Sequence, residues 1–239
     1  MAMIRAAAMA SLLALAALSW TDLADGAATP SASATLSLAL RDAAQHSSFR
    51  TTDSSVLLGH GYASTADVGP EEGQQRISIS PGGQARVVVV GGVAYIAGNQ
   101  AGLIHYFGFP AAAARKAGSR WVSIRSSSPG YAPASQNVLR GSVLTYLTPS
   151  GRLAETAPTR IDGTAVIGIA GAGPTLRSSG AASSLTLFVS KAGAPLPVRA
   201  VLSDKQGDHE SITLGSWNEH VALKAPRGAI AIGTLAASQ

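Results

Sequence analysis

The sequence predicts an α+β protein that is mostly β, with an antiparallel sheet and a few helices inserted in the middle of the chain. Three observations predict it. Short β-branched runs are separated by two-residue turns, Gly91-Gly92 and Asp162-Gly163, which is the pattern of successive hairpins. Between residues 98 and 147 the apolar spacing changes from two to three or four, the period of a helix. The helical stripes need an apolar surface to cover, and the sheet supplies it.

The elements follow in chain order. Residues 29–35 are a small-residue linker, and Thr35 is placed to cap a helix over 36–46 with Leu36, Leu40, Ala43 and Ala44 on one face. Phe49 to Val56 reads as a Ser/Thr-rich strand, and Leu57 to Ala66 as an extended segment broken at Gly59 and Gly61. Glu71-Glu72-Gly73 marks a turn. Arg76 to Ser80 alternates, with Ile77 and Ile79 on one face. Pro81-Gly82-Gly83 turns the chain into Ala85–Val90, and Gly91-Gly92 returns it as Val93–Ala97. These strands form a meander.

Gly98-Asn99-Gln100 then opens a helical stretch. Pro110 begins a second helix over Ala111–Ala117, ended by Gly118. Trp121 to Ile124 is a strand and Pro129 to Pro133 a loop. Val138 to Leu147 is an amphipathic helix stopped by Pro149-Ser150-Gly151. Two hairpins follow, Thr159–Ile161 with Thr164–Ile169, and Ser183–Ser190 with Leu196–Ser203. Ile212 to Trp217 is the final long strand, and the tail 233–239 is loose.

The N-terminus has the pattern of an export signal. Arg5 gives a positive start, Ala6 to Leu18 is apolar and uncharged, and small residues follow. Cleavage after Ala28 is the preferred site, so residues 1–28 are a signal peptide and 36–232 a single domain. No other segment reaches the roughly 18 apolar residues of a membrane helix. Of the 239 residues, 46% are hydrophobic, which excludes a chain disordered throughout. The net charge is +5; removing a segment with Arg5, Asp22 and Asp25 leaves 17 basic and 11 acidic residues, or +6. The basic residues are scattered, the pattern of a solvated surface. Cysteine is absent, which excludes disulfides, thiolate metal sites and a lipid-modified cysteine anchor.

Several segments in order carry a resemblance to a known family. They are Val87-Val88-Val89-Val90-Gly91-Gly92-Val93-Ala94-Tyr95-Ile96, Gly98-Asn99, Arg120-Trp121-Val122, Leu187-Phe188-Val189 with Leu196-Pro197-Val198, and Trp217 before Ala225-Pro226. Over residues 35–232 the chain resembles the LolA/LppX-like superfamily of bacterial envelope carriers and lipoproteins. The resemblance implies a strongly curved antiparallel sheet, an incomplete barrel, with helices covering its concave face. It also implies an apolar cavity between the two layers that binds the acyl chains of lipids or lipoproteins. Many relatives carry a lipidated cysteine; the corresponding region here reads Ser19-Trp20-Thr21-Asp22.

Catalytic patterns are missing from the sequence. There is no HExxH, and none of His46, His60, His105, His209 and His220 is spaced to share a metal on a helix. No Gly-x-Ser-x-Gly occurs, and the glycine pairs lack the Lys-Ser/Thr of a phosphate loop. His209-Glu210 is expected in an exposed polar turn, and His105 beside a helix stripe. Aromatic residues are 5% of the chain and are not interleaved with basic ones, so nucleic acid is not an expected partner. No cofactor is expected.

The concentrated apolar and aromatic feature lies on the inserted helices: Leu103, Ile104, Tyr106, Phe107, Phe109, Leu139, Val143, Leu144 and Leu147. They are either ordinary core or the lid of a lipid cavity, and the resemblance favours the cavity. Arg115, Lys116 and Arg120 are the candidate rim residues for an anionic headgroup. The expectation is an exported, monomeric, non-enzymatic lipid carrier that meets a membrane surface or an envelope protein. The alternative is a sensor or protein-interaction module on the same fold.

Overall fold

The computed structural model describes residues 31–57, 59–176 and 180–236. The expected signal segment 1–28, and the ends of the expected linker and tail at 29–30 and 237–239, lie outside them. The sheet grows from two meanders. The first runs through β1 (Phe49–Leu57), β2 (His60–Val68), β3 (Gly73–Ile79), β4 (Gly83–Val90), β5 (Val93–Gly98) and β6 (Val122–Arg125). The second comprises β7 (Ser150–Glu155), β8 (Thr159–Ile161), β9 (Thr164–Thr175), β10 (Ala182–Ser190), β11 (Pro197–Ser203) and β12 (His209–Gly215). Pairing of β1 with β12 joins them into one 13-stranded sheet. Every pairing is antiparallel except that of β6 with the short β13 (Ile230–Ala231). The sheet ends at β13 and at β7, so it is a curved, incomplete barrel whose concave face the helices cover.

Alternation decides which face is inside. On β3 and β4, Ile77, Ile79, Ala85, Val87 and Val89 are buried, while Arg76, Ser78, Gln84 and Arg86 are exposed. The Gly91-Gly92 and Asp162-Gly163 turns have positive φ at both residues, +58° and +71°, and +48° and +82°. These are the type I′ conformations that match strand twist.

The helices are α1 (Ala32–Gln45), α2 (Gln100–His105), α3 (Ala111–Ala117), α4 (Tyr131–Ser135), α5 (Arg140–Tyr146) and α6 (Gly233–Ala236). The first begins earlier than expected. Ser31, not Thr35, is its N-cap, and its Oγ accepts from the Ala34 amide at 3.3 Å. The helix thereby takes in most of the expected linker. Leu36, Ala39 and Ala43 are buried, and Ala44 is exposed.

Four other expectations are corrected. The segment Pro129–Pro133 is not all loop, because α4 starts at Tyr131 and places Pro133 in its first turn, where a proline is tolerated. Helix α5 starts at Arg140 rather than Val138, since Gly69 and Leu139 form a parallel bridge. There Arg140 N donates to Gly69 O at 2.7 Å, and Gly69 N to Val138 O at 3.3 Å. Strand β7 was not expected; its sequence lacks alternation, and only Leu153 is half-buried. Finally, the tail is not loose at 233–236: it forms α6, and Leu235 is buried in the core.

Candidate functional site

Local sequence fixes α2 against the sheet. The Asn99 Oδ1 accepts from the Gly102 amide at 2.9 Å and from the Gln84 amide at 3.0 Å. Its Nδ2 donates to Gly82 O at 2.8 Å. One side chain thus caps the helix and ties it to the β3–β4 turn and the start of β4. Gly102 permits the contact, since a Cβ there would stand 2.1 Å from Gln84 O.

The predicted apolar residues come together as one seam between helices and sheet. Leu103, Val143, Leu144 and Leu147 are buried, and Ile104, Tyr106, Phe107, Phe109 and Leu139 pack half-buried around them. The Tyr106 and Phe107 rings meet edge-on at 5.0 Å, and Phe107 and Phe109 lie 6.4 Å apart. These side chains pack against the buried core cluster. Grooves of about 720 Å³ and about 400 Å³ lie elsewhere, and none of these residues lines either one.

The three predicted basic residues separate. Arg115 lines the larger groove. Lys116 Nζ donates to Thr234 O at 2.6 Å, which ties α3 to α6. Arg120 donates to the carbonyls of Lys116 and Ala117, at the end of α3 where the helix leaves them unsatisfied.

A polar belt inside the sheet was not foreseen. Thr51, Asp53 and Ser55 alternate inward on β1, and Ser55 stands opposite Glu210 of β12. Glu210 is therefore not in an exposed turn, although His209 is exposed. Tyr146 donates its hydroxyl hydrogen to Glu210 Oε2 at 2.6 Å. Beside it, Asn137 Nδ2 donates to the Tyr106 hydroxyl at 2.9 Å, and Gln75 Nε2 to Ser64 Oγ at 3.0 Å. Asp53 Oδ1 is buried with no hydrogen-bond partner, and Ser55 Oγ donates to Oδ2 at 3.3 Å.

Burial, then the charge of Glu210, pushes the Asp53 carboxyl up to about 7. Burial also raises Glu210, against the Tyr146 bond that lowers it. Tyr106 is pushed up to about 12 by burial, and Tyr146 is raised by burial and by Glu210. The signal for the belt was present: Thr51, Asp53 and Ser55 share a strand face by period two. Among the described residues no group of three or more His, Asp or Glu side chains converges to hold a metal.

Comparison with solved structures assigns the architecture. LprF from Mycobacterium bovis superposes with a TM-score of 0.52 at 18% identity, covering 82% of this chain and 97% of that one. The lipoprotein LppX of Mycobacterium tuberculosis superposes with 0.52 at 18% identity, covering 81% and 98%. The chain has the LolA/LppX-like fold. A LolA superfamily protein from Nitrosomonas europaea aligns with a TM-score of 0.31 at 12% identity, covering 82% and 96%. No protein-family model and no curated protein matches the sequence. In this LolA/LppX-like fold the seam occupies the layer between the open sheet and its covering helices.

Proposed function

We propose that the protein is an exported, non-enzymatic carrier that takes lipid acyl chains into the seam between the sheet and α2, α3 and α5. The observation that carries this reading is the seam itself. Apolar and aromatic side chains from short, separate helices meet the inner face of a sheet that does not close. Helices of six or seven residues are marginal alone, so their position depends on contacts an acyl chain can replace. Each buried CH₂ is worth about 0.8 kcal/mol. The polar belt bounds the space, since an ionised carboxylate is costly against hydrocarbon.

The LolA/LppX-like fold supports the reading, and so does the charge and hydropathy pattern of residues 1–28 for export. No described helix is long and apolar enough to cross a membrane. The carrier works as a monomer and exchanges its ligand with a membrane surface or an envelope protein. The test is solvent extraction of the purified protein followed by lipid mass spectrometry. A stoichiometric acyl lipid is expected. A clean extract after incubation with envelope lipids, with Trp121 and Trp217 emission unchanged, overturns the proposal.

A second reading, a protein-interaction module, is favoured by one observation: the seam residues pack into the core cluster and line neither of the two grooves. A partner retained through purification without extractable lipid is the result it expects.

A further inference from the structure

The outward face of the first meander carries a feature that the carrier reading does not use. A row runs across the strands through Thr65, Arg76, Arg86 and Ala97, each paired with the next. Arg76 and Arg86 therefore stand directly opposite each other, and like charges in that position are destabilising. Arg86 lies over the Trp121 ring, its guanidinium carbon 5.4 Å from the centroid. Helix α3 brings Arg115 to the same groove, which has a volume of about 720 Å³.

The rest of the lining is neutral, including Ser78, Gln84, Asn99, Gln100 and Ser119. The ion pairs among the described residues are Arg50 with Asp67 and Glu219, and Arg199 with Asp162. None of them uses a groove arginine. Arginines that line one groove, with no carboxylate among its lining residues, match an oxyanion that offers several acceptor oxygens. The stacking of Arg86 on Trp121 holds one planar fork without spending its hydrogen-bond donors on protein.

We propose that the groove between the outward face of β3–β4 and helix α3 is a binding site for a phosphate group, recognised by Arg76, Arg86 and Arg115. Phosphate supplies the negative charge that relieves the Arg76–Arg86 opposition and the oxygens that three guanidinium groups can share. Gln84 and Asn99 line the same groove and add polar character around the ester substituent. None of the apolar residues named for the seam lines this groove, so the site stands whether or not acyl chains enter there.

The phosphate can be a free ester or a lipid headgroup, and the test separates the two. Binding of the native protein to glycerol 3-phosphate is followed by calorimetry, and to phosphatidylglycerol and phosphatidylcholine vesicles by co-sedimentation. The same assays are run on Arg76→Gln/Arg86→Gln, and on Arg152→Gln/Lys205→Gln, which makes the same charge change outside the groove. The groove variant removes an opposed pair from an exposed face, and its thermal unfolding shows whether it is folded.

The expected result is binding that the groove variant weakens about thirty-fold, from about 1 kcal/mol per basic residue near an anionic surface. The control pair is expected to keep most of it. Loss for both ligands indicates that the ester alone is recognised; loss for phosphatidylglycerol vesicles only indicates the headgroup in a lipid surface. Three results overturn the proposal: no binding of either probe, equal binding to phosphatidylcholine, or equal losses in the groove and control variants.

Discussion

Replacing Asp53 by asparagine tests the electrostatics of the interior. The Asp53 carboxyl is raised from 3.8 to about 7 in the folded protein, first by burial and then by Glu210. Between these values the folded chain holds a proton that the unfolded chain has released. Stability from this group is therefore full below about pH 4 and declines as pH rises towards 7. The distance between the two values, at about 1.36 kcal/mol per pH unit, sets an upper bound of about 4 kcal/mol. Asparagine keeps the shape and never ionises. Asp53→Asn is expected to match the native protein near pH 4 and exceed it at pH 8 by up to about 4 kcal/mol. Urea unfolding at half-unit pH steps measures the difference. A native stability that does not fall between pH 5 and 8, or a variant that keeps the full native slope, refutes the reasoning.

Two further substitutions probe the contacts that assemble the seam. Tyr146→Phe removes the donor to Glu210 Oε2, and a lost hydrogen bond to a charged group costs about 1.5–3 kcal/mol at neutral pH. The Glu210 carboxyl should also titrate higher, which carbon-detected NMR reads directly; an unmoved titration contradicts the assignment. Gly102→Ala puts a Cβ 2.1 Å from Gln84 O and must displace α2. A cost of about 1–3 kcal/mol is expected, with faster amide exchange confined to residues 100–106.

The two-residue hairpins were legible because their turns are local: Gly91-Gly92 and Asp162-Gly163 each satisfy a type I′ turn without help from elsewhere. The seam residues were legible for a similar reason, as helical periodicity marks an apolar face before its partner is known. What the seam encloses was not, because a packed core and an apolar pocket have the same composition. Strand β7 carries no alternation and exists through its pairing with β9. The late start of α5 was obscured by Gly69, a residue far away in sequence that captures Val138 and Arg140.

Charge was the hardest to read. Arg76, Arg86 and Arg115 look scattered along the chain, and only the β3–β4 register and the placement of α3 gather them. Glu210 looked exposed beside His209, but the phase of β12 against β1 turns it inward. Polar residues in an inward phase are a tertiary fact whenever the neighbouring strand is distant in sequence.

The claim that acyl chains occupy the seam is tested most directly by depth-specific quenching. Tryptophan is placed at Phe107, in the seam, or at Phe188, on the face of β10 opposite the buried Leu187 and Val189. Each variant is titrated with a lipid brominated along its acyl chain, with the native protein giving the background from its own tryptophans. The account predicts quenching of the added emission at position 107 and little at 188. Equal quenching at both positions, or none at 107 under conditions where lipid is bound, contradicts it.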